Sequence, residues 1–390
     1  MKKNYSTTFS DIEYTQDLGY PEYNPSDAIW DQTNPDGTPV LWHLNKIEAD
    51  EAWDITKGSS NITVAIIDQG FDISHPDLVN KITSTVDSRT GNPFGYTTEY
   101  HGTFVASCAG AETDGGGQLA SVGFNTMLSF YDYNISAADI AYYASFDEGA
   151  DVISYSWGGL TSATIREKLL VQEVLDNGTV IVRSAGNKQS DSDNNRFPFA
   201  YQVDNRIIIV SATDKNDNHT NPTGGTTYAN YPQVSVCSPG YSIMGAIRYN
   251  SGSVTNPYMI RSGTSYATPI VAGVCALLKS INKNLTPAEI KNIIQTTVDP
   301  VADAYLYPGT IGTGRVNAYN AVQAACATTS SSINFTNQTV NTNTTVVSCG
   351  DINVQNVTVT NNAKLTLDAV GTTTIAGDFS ILLGAQLEVE

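Results

Sequence analysis

The stretch NITVAIIDQG, residues 61–70, decides what kind of chain this is. Val64, Ala65, Ile66 and Ile67 form a continuous apolar run, not an alternating one. A strand that is apolar on both sides is buried on both faces, as in a parallel sheet covered by helices. The run closes on Asp68, followed by Gln69 and Gly70. A carboxylate at the end of a buried strand is costly to desolvate unless something uses it. A turn aspartate before a glycine is the plainer account of the same residue, so its meaning depends on its partners.

Outward from this strand, four more runs have the same character: DVISYSWG (151–158), TVIVRSAGN (179–187), RIIIVSAT (206–213) and QVSVCSPG (233–240). Helical patterns lie among them. NKIEADEAWDIT (45–56) places Ile47, Ala52 and Ile55 on one side. HGTFVASCAG begins at 101, AADIAYYASFDEGA ends in Gly-Ala, and ATIREKLLVQEVLDNG stops at Asn177-Gly178, a helix-ending pair. TPAEIKNIIQTTVD carries Thr286 and Glu289 at capping-box spacing. Strand–helix alternation predicts an α/β fold, a doubly wound, mostly parallel sheet flanked by helices.

The chain has 390 residues, long for one domain. Its 20 basic and 39 acidic residues give a net charge of −19, which argues against nucleic acid and anionic membrane as partners. No purely apolar run is long enough for a membrane span. The start, MKKNYSTTFSDIEY, has lysines but no apolar segment behind them, so it does not read as a signal peptide. Residues 1–41 are expected to be a polar N-terminal extension, and the main domain to occupy 42–326.

Composition changes near CATTSSSINF (326–335). Residues 331–390 contain no Pro, no Arg and one Lys. Short runs such as NVTVT, AKLTLDA, TTTIAG, FSILL and QLEVE, with turn residues between them, predict strands of about five residues in a small all-β module. The expected linker is 327–332 and the module 333–390. Cys326 and Cys349 flank the join; a bridge would staple module to domain, and two unpaired thiols are the alternative. Cys108, Cys237 and Cys275 sit in apolar segments and read as buried small hydrophobes.

The chain has four histidines, so the search for a base is short. His219 lies in DKNDNHT, a polar turn where a solvated side chain is expected. His43 adjoins Trp42, and His75 precedes Pro76 in a local turn. His101 opens a helix with Gly102 behind it, which leaves room beside the imidazole. Asn187 follows a buried strand, where it is either a turn residue or a side-chain donor aimed at a developing oxyanion. Ser265, in GTSYATPIVAG (263–273), stands at a helix N-terminus, where the dipole favours negative charge. Pro269 is early enough in that helix to be tolerated.

Taken together, these residues resemble one family. VAIIDQGFDISHPDL (64–78), HGTFVASCAG (101–110), SAGN (184–187) and GTSYATPIVAG are similar, in this order, to the aspartate, histidine, oxyanion and serine motifs of the subtilisin-like serine proteases, the subtilases. GTGRVNAYNAV (312–322) resembles the family's closing helix motif. The resemblance runs from about Trp42 to Ala325. It implies a triad of Asp68, His101 and Ser265, with Asn187 as oxyanion donor and an acyl-enzyme route. It also implies a substrate pocket lined by Ser156, Trp157 and Gly158 on one side and by Ala185 and Gly186 on the other. The substrate would be a protein or peptide.

The chain departs from the family pattern at Phe104, Tyr266 and Ile270, where His, Met and His are frequent. Trp157 stands where an aliphatic residue is usual. The chemistry needs no cofactor. Structural Ca2+ is a possibility of the family; Asp114 in AETDGGGQLASVG (111–123) is the candidate ligand. The turn Asp214, Asn216, Asp217, Asn218 offers oxygen ligands too, but without an EF-hand spacing and with an exposed turn as the expected reading. The C-terminal module resembles the β tails of secreted Bacteroidetes proteins, which implies an extracellular or cell-surface enzyme and a contact with secretion machinery. A narrow processing protease, a peptide ligase on the same triad, and a non-catalytic binding protein on a protease fold are the competing readings.

Overall fold

The run around Val64 becomes the central strand of the molecule. The computed structural model describes residues 23–87, 100–132, 136–157, 164–187, 204–219, 228–248, 256–329 and 332–389. Seven strands form one parallel sheet: β1 (Thr63–Asp68), β2 (Ile82–Asp87), β3 (Met127–Asp132), β4 (Val152–Tyr155), β5 (Val180–Ser184), β6 (Ile208–Thr213) and β7 (Val236–Pro239). Their order is β2-β3-β1-β4-β5-β6-β7. β1 therefore lies between β3 and β4, where the winding changes direction. In such sheets the crevice beyond the carboxyl ends at this point is the natural place for a site.

Alternate residues of β1 face two different cores. Val64 and Ile66 belong to the larger one, with Phe104, Val105, Ile270, Val271 and Val274; Ala65 and Ile67 belong to the smaller one, with Ile140, Val171 and Val174. Burial on both sides explains why the run is apolar throughout. The covering helices are α1 (Trp42–Lys46), α2 (Ala49–Ile55), α3 (His101–Gly110), α4 (Ala137–Phe146), α5 (Ile165–Asp176), α6 (Thr264–Ile281), α7 (Pro287–Thr296) and α8 (Ala318–Cys326). The capping box of Thr286 and Glu289 at α7 forms as expected, and Thr164 and Glu167 make a second one at α5. α6 is apolar and long enough to cross a membrane by composition, yet 83% of that window is buried inside this protein.

Three features differ from the sequence expectations. The helix expected over 45–56 is two helices. The carbonyl of Ile47, which a continuous helix would have used internally, accepts the N–H of Ala318 at 2.6 Å, and Glu48 turns left-handed with φ 56°. β2 and β3 were not expected; their sequences, ITSTVD and MLSFYD, are more polar than the other runs. The segment ahead of Trp42 is not only an extension: Ile29, Trp30, Val40 and Leu41 are part of the large core. A short antiparallel pair, β8 (Ile243–Ala246) and β9 (Tyr258–Arg261), lies against α3, where Ala246 N–H donates to Ser107 Oγ at 2.9 Å.

The C-terminal part is a separate all-β unit of two three-stranded parallel sheets. β10 (Ser332–Val340), β12 (Asp351–Val359) and β14 (Thr373–Ile381) form one; β11 (Thr344–Ser348), β13 (Lys364–Ala369) and β15 (Gln386–Val389) form the other. The chain alternates between the sheets, so it winds as a solenoid around Val340, Ile352, Val354, Val357, Val359, Leu365 and Leu367. β10, β12 and β14 have nine residues each, longer than expected. Asn337, Asn356 and Gly377, which look like turn residues in the sequence, lie inside these strands with φ of 57°, 54° and 71°. They bend each strand without ending it, and Asn356 Nδ2 donates to Asn337 Oδ1 at 3.0 Å between coils. Cys326 and Cys349 are joined by a disulfide, and Cys108, Cys237 and Cys275 are free and buried.

Candidate active site

Asp68 ends β1 with only 2% of its surface exposed. Its Oδ1 accepts the backbone N–H of Gln69 at 2.7 Å and lies 2.7 Å from His101 Nδ1. A carboxylate can only accept here, so Nδ1 carries the proton and Nε2 is left as the basic nitrogen. The residues after each partner bring them together. Gly102 donates to Gln69 O at 2.7 Å and Thr103 to Gly70 O at 3.0 Å. A side chain at position 102 would meet the Phe71 ring at 2.8 Å, so α3 can approach the end of β1 only with glycine there. Asp72 N–H in turn donates to Thr103 Oγ1 at 2.8 Å.

Ser265 occupies the first turn of α6, as expected for a residue at a helix mouth. Pro269 has no N–H, so the carbonyl of Ser265 four residues earlier loses its helical partner. Ser156 supplies a substitute: its Oγ donates to Ser265 O at 2.6 Å. The reciprocal bond runs from Ser265 Oγ to Ser156 O at 2.9 Å. The serine turn and the segment after β4 are thus pinned at two points.

Asn187, just past β5, is oriented by Thr264. Its Oδ1 accepts the N–H of Thr264 at 2.8 Å and the hydroxyl at 3.1 Å, which assigns Nδ2 to the other end of the amide. Gly186 N–H donates to Thr264 Oγ1 at 3.2 Å. Sequence reasoning missed Thr264, although it stands directly before Ser265. Ser156 and Trp157 follow β4, and Ala185 and Gly186 follow β5, so both groups stand at the carboxyl edge of the sheet. Trp157 is held by its Nε1, which donates to Ile67 O at 2.8 Å. Tyr231 OH donates to Ala185 O at 3.1 Å and braces the opposite side. Gly158 lies outside the described residues.

Electrostatics separate His101 from the other histidines. Burial pulls the imidazole pKa of His101 down, but the Asp68 hydrogen bond and charge outweigh it and hold the value above the ordinary 6.5. Burial depresses His43 to about 3, His219 to about 4, and His75 in the same direction. His219 was expected in solvent and is fully buried instead. The turn around it folds inward because its backbone N–H donates to Asp303 at 2.7 Å and its ring packs 4.7 Å from Tyr307. Asp214, in the same turn, is also buried, accepting the N–H groups of Asn216 at 2.8 Å and Asn218 at 2.9 Å.

Asp114, the candidate metal ligand, is engaged by the N-terminal segment. Its Oδ1 accepts from Ser26 N and Oγ at 2.6 and 3.0 Å, and its Oδ2 accepts from Tyr23 OH. The carboxylate fastens residues 23–27 to the loop after α3. In the same loop, Asp77 Oδ1 accepts the N–H groups of Gln118 and Leu119 at 2.6 and 3.0 Å. Protein donors engage both oxygens of Asp114 and Oδ1 of Asp77, while Asp27, which accepts the Asp114 N–H at 3.0 Å, keeps its Oδ1 buried without a hydrogen-bond partner; among the described residues no cluster of three or more His, Cys, Asp or Glu is arranged for a metal.

A base oriented by a buried carboxylate, a hydroxyl at a helix N-terminus and a fixed amide beside it are the components of nucleophilic acyl transfer. Residues 59–314 match the model of the Subtilase family. The chain is 36% identical over 282 residues to a thermophilic serine proteinase of Bacillus sp. (strain AK1), covering 70% of this chain and 64% of that one. It is 33% identical over 287 residues to thermitase of Thermoactinomyces vulgaris, covering 71% of this chain and 94% of that one. A solved protease from Pseudoalteromonas arctica superimposes with a TM-score of 0.62 at 25% identity, covering 77% of this chain and 99% of that one.

Proposed function

The chain belongs to the subtilase family, and from that premise we propose that it is a serine endopeptidase acting on protein or peptide substrates. The observation that carries the reading is the 2.7 Å pairing of Asp68 with His101 beside the Ser265 turn. In this reading His101 Nε2 takes the Ser265 proton as Oγ attacks the scissile carbonyl. Asp68 keeps the imidazole in the Nδ1–H form and stabilises its charged state. Asn187 Nδ2 and the Ser265 backbone N–H hold the oxyanion, and His101 returns the proton to the leaving amine. Water then releases the acyl group from Ser265. Ser156, Trp157, Ala185, Gly186 and, by resemblance, Gly158 line the pocket for the residue before the cleaved bond. No cofactor takes part in the chemistry, and a structural Ca2+ held by the loop that carries Asp114, beside Asp27 and Asp77, would serve stability only.

Export is part of the proposal. The Cys326–Cys349 disulfide supports it, since such bonds persist in oxidising compartments. The solenoid would play the part of the β tails on secreted Bacteroidetes proteins. Fractionation of the producing cells checks this; recovery of reduced protein in the cytosol alone would contradict it. The enzymatic assignment is tested with a fluorophosphonate probe, with Ser265→Ala as control. Labelling of the wild-type chain and none of the variant is expected. Equal labelling of both would remove Ser265 from its role, and product masses from a peptide library would give the cleavage preference.

A further inference from the structure

We infer that Tyr266 is a positioning residue for His101: its ring, wedged between the imidazole and Phe104, sets the direction of the base. The inference rests on the serine protease reading above. Tyr266 follows Ser265 in the first turn of α6 and is 8% exposed. Its ring centroid lies 5.7 Å from that of His101 at an interplanar angle of 46°, and 4.4 Å from Phe104 at 50°. Phe104 is three residues after His101 on α3, hence on the same side of that helix. It cannot retreat, because it is fully buried and its ring lies against Gly245, where a Cβ would come within 2.5 Å.

The imidazole is therefore located by two contacts of different kind. Asp68 fixes Nδ1 from β1, and Tyr266 blocks rotation of the ring towards α6. One hydrogen bond alone leaves a partly exposed imidazole free to swing about it. A misplacement of about 1 Å at a reacting group costs on the order of 10²-fold in rate. The aromatic ring also lies within about 6 Å of the position the imidazolium takes, where a cation–π contact stabilises it. The groups around this pair are Asp68 from β1, Tyr100 and Cys108 from the α3 side, and Arg261 from β9, whose Nη2 donates to Tyr100 OH at 2.9 Å. Burial raises the Tyr266 hydroxyl to about 12, so the residue adds no charge in the neutral range.

The experiment compares the full chain with Tyr266→Leu, Tyr266→Met and Tyr266→Phe in labelling rate, kcat, KM and pH profile. Leu and Met fill the space without a ring; Met adapts to irregular gaps and guards against a folding failure of the Leu variant. Both are expected to lose about 10- to 100-fold in kcat, with KM changed less than threefold, and to shift the acid limb of kcat/KM downward. Phe, which keeps the ring, is expected to recover most of the loss. If wild type is labelled and the Leu and Met variants match it within twofold with an unmoved acid limb, the inference is overturned while the protease reading survives. If wild type itself is not labelled, that reading fails and this one with it.

Discussion

The large sheet and the solenoid both bury parallel strands, yet they do so against different partners. β1 to β7 are covered on both faces by helices drawn from along the chain, so residues far apart in sequence meet at one edge. There Asp68, Ser156, Asn187 and the Ser265 turn converge, and burial with one carboxylate partner moves the pKa of His101. In the solenoid each coil rests on its neighbours, as in other repeat architectures. One side of its strands faces solvent, and Ile375, Ile381, Leu382 and Leu383 are exposed on the last coil. Its charged groups, such as Lys364 and Glu388, pair across coils. A nearest-neighbour stack has no edge where distant polar groups are desolvated together, and so it offers stability and surface where the large sheet offers chemistry.

The contrast breaks most sharply at Ser265, the proposed nucleophile. Ser265→Ala is expected to lower kcat on the order of 10⁶-fold, the scale known for subtilisin itself, without moving the melting temperature. A residual rate within tenfold of wild type would place the chemistry elsewhere. Asn187→Ala is expected to cost about 10²- to 10³-fold in kcat, again the scale of subtilisin, with KM little changed. A loss confined to KM would make Asn187 a binding residue only.

The solenoid should answer in stability alone. Leu365→Ala removes a fully buried side chain from its small core and is expected to cost about 2–5 kcal/mol in denaturant unfolding of that unit. kcat/KM should stay within twofold; a tenfold fall would show that the two regions act as one. Reduction of Cys326–Cys349 is expected to destabilise the same unit by about 3 kcal/mol, again with unchanged activity.

The smallest effect is a pH shift. Because Asp68 holds the His101 pKa above 6.5, kcat/KM should fall as pH drops through that raised value, when the base becomes protonated. Stability runs the other way: the Asp68–His101 contribution is fully present below the unfolded value of about 6.5 and fades as pH rises through the folded one. Asp68→Asn should move the acid limb of the activity profile downward, and a limb that stays in place would detach Asp68 from the base.

How much was legible follows from what each feature depends on. The parallel sheet was readable in VAIID and its sister runs, because burial on both faces leaves a continuous apolar signature. β2 and β3 escaped because their sequences carry polar residues that only their neighbours make acceptable. The solenoid strands were read as too short because Asn356 and Gly377 look like turn endings. Only stacking against the equivalent residue of the next coil shows that they are bends. His219 was placed in solvent because its own segment is polar; Asp303 and Tyr307, more than eighty residues on, draw it inside.

The amino-acid sequence by itself determined the fold class and singled out Asp68, His101, Asn187 and Ser265 as the candidate site, because residue type and short motifs are local properties. The tertiary structure alone decided how those residues are aimed. Thr264 turns the Asn187 amide, Ser156 takes the carbonyl that Pro269 frees, and Tyr266 walls in His101. It also decided that Asp114 fastens the N-terminal segment. Each of these is a contact between chain segments remote in sequence, and distance and orientation between such segments exist only once the core has packed.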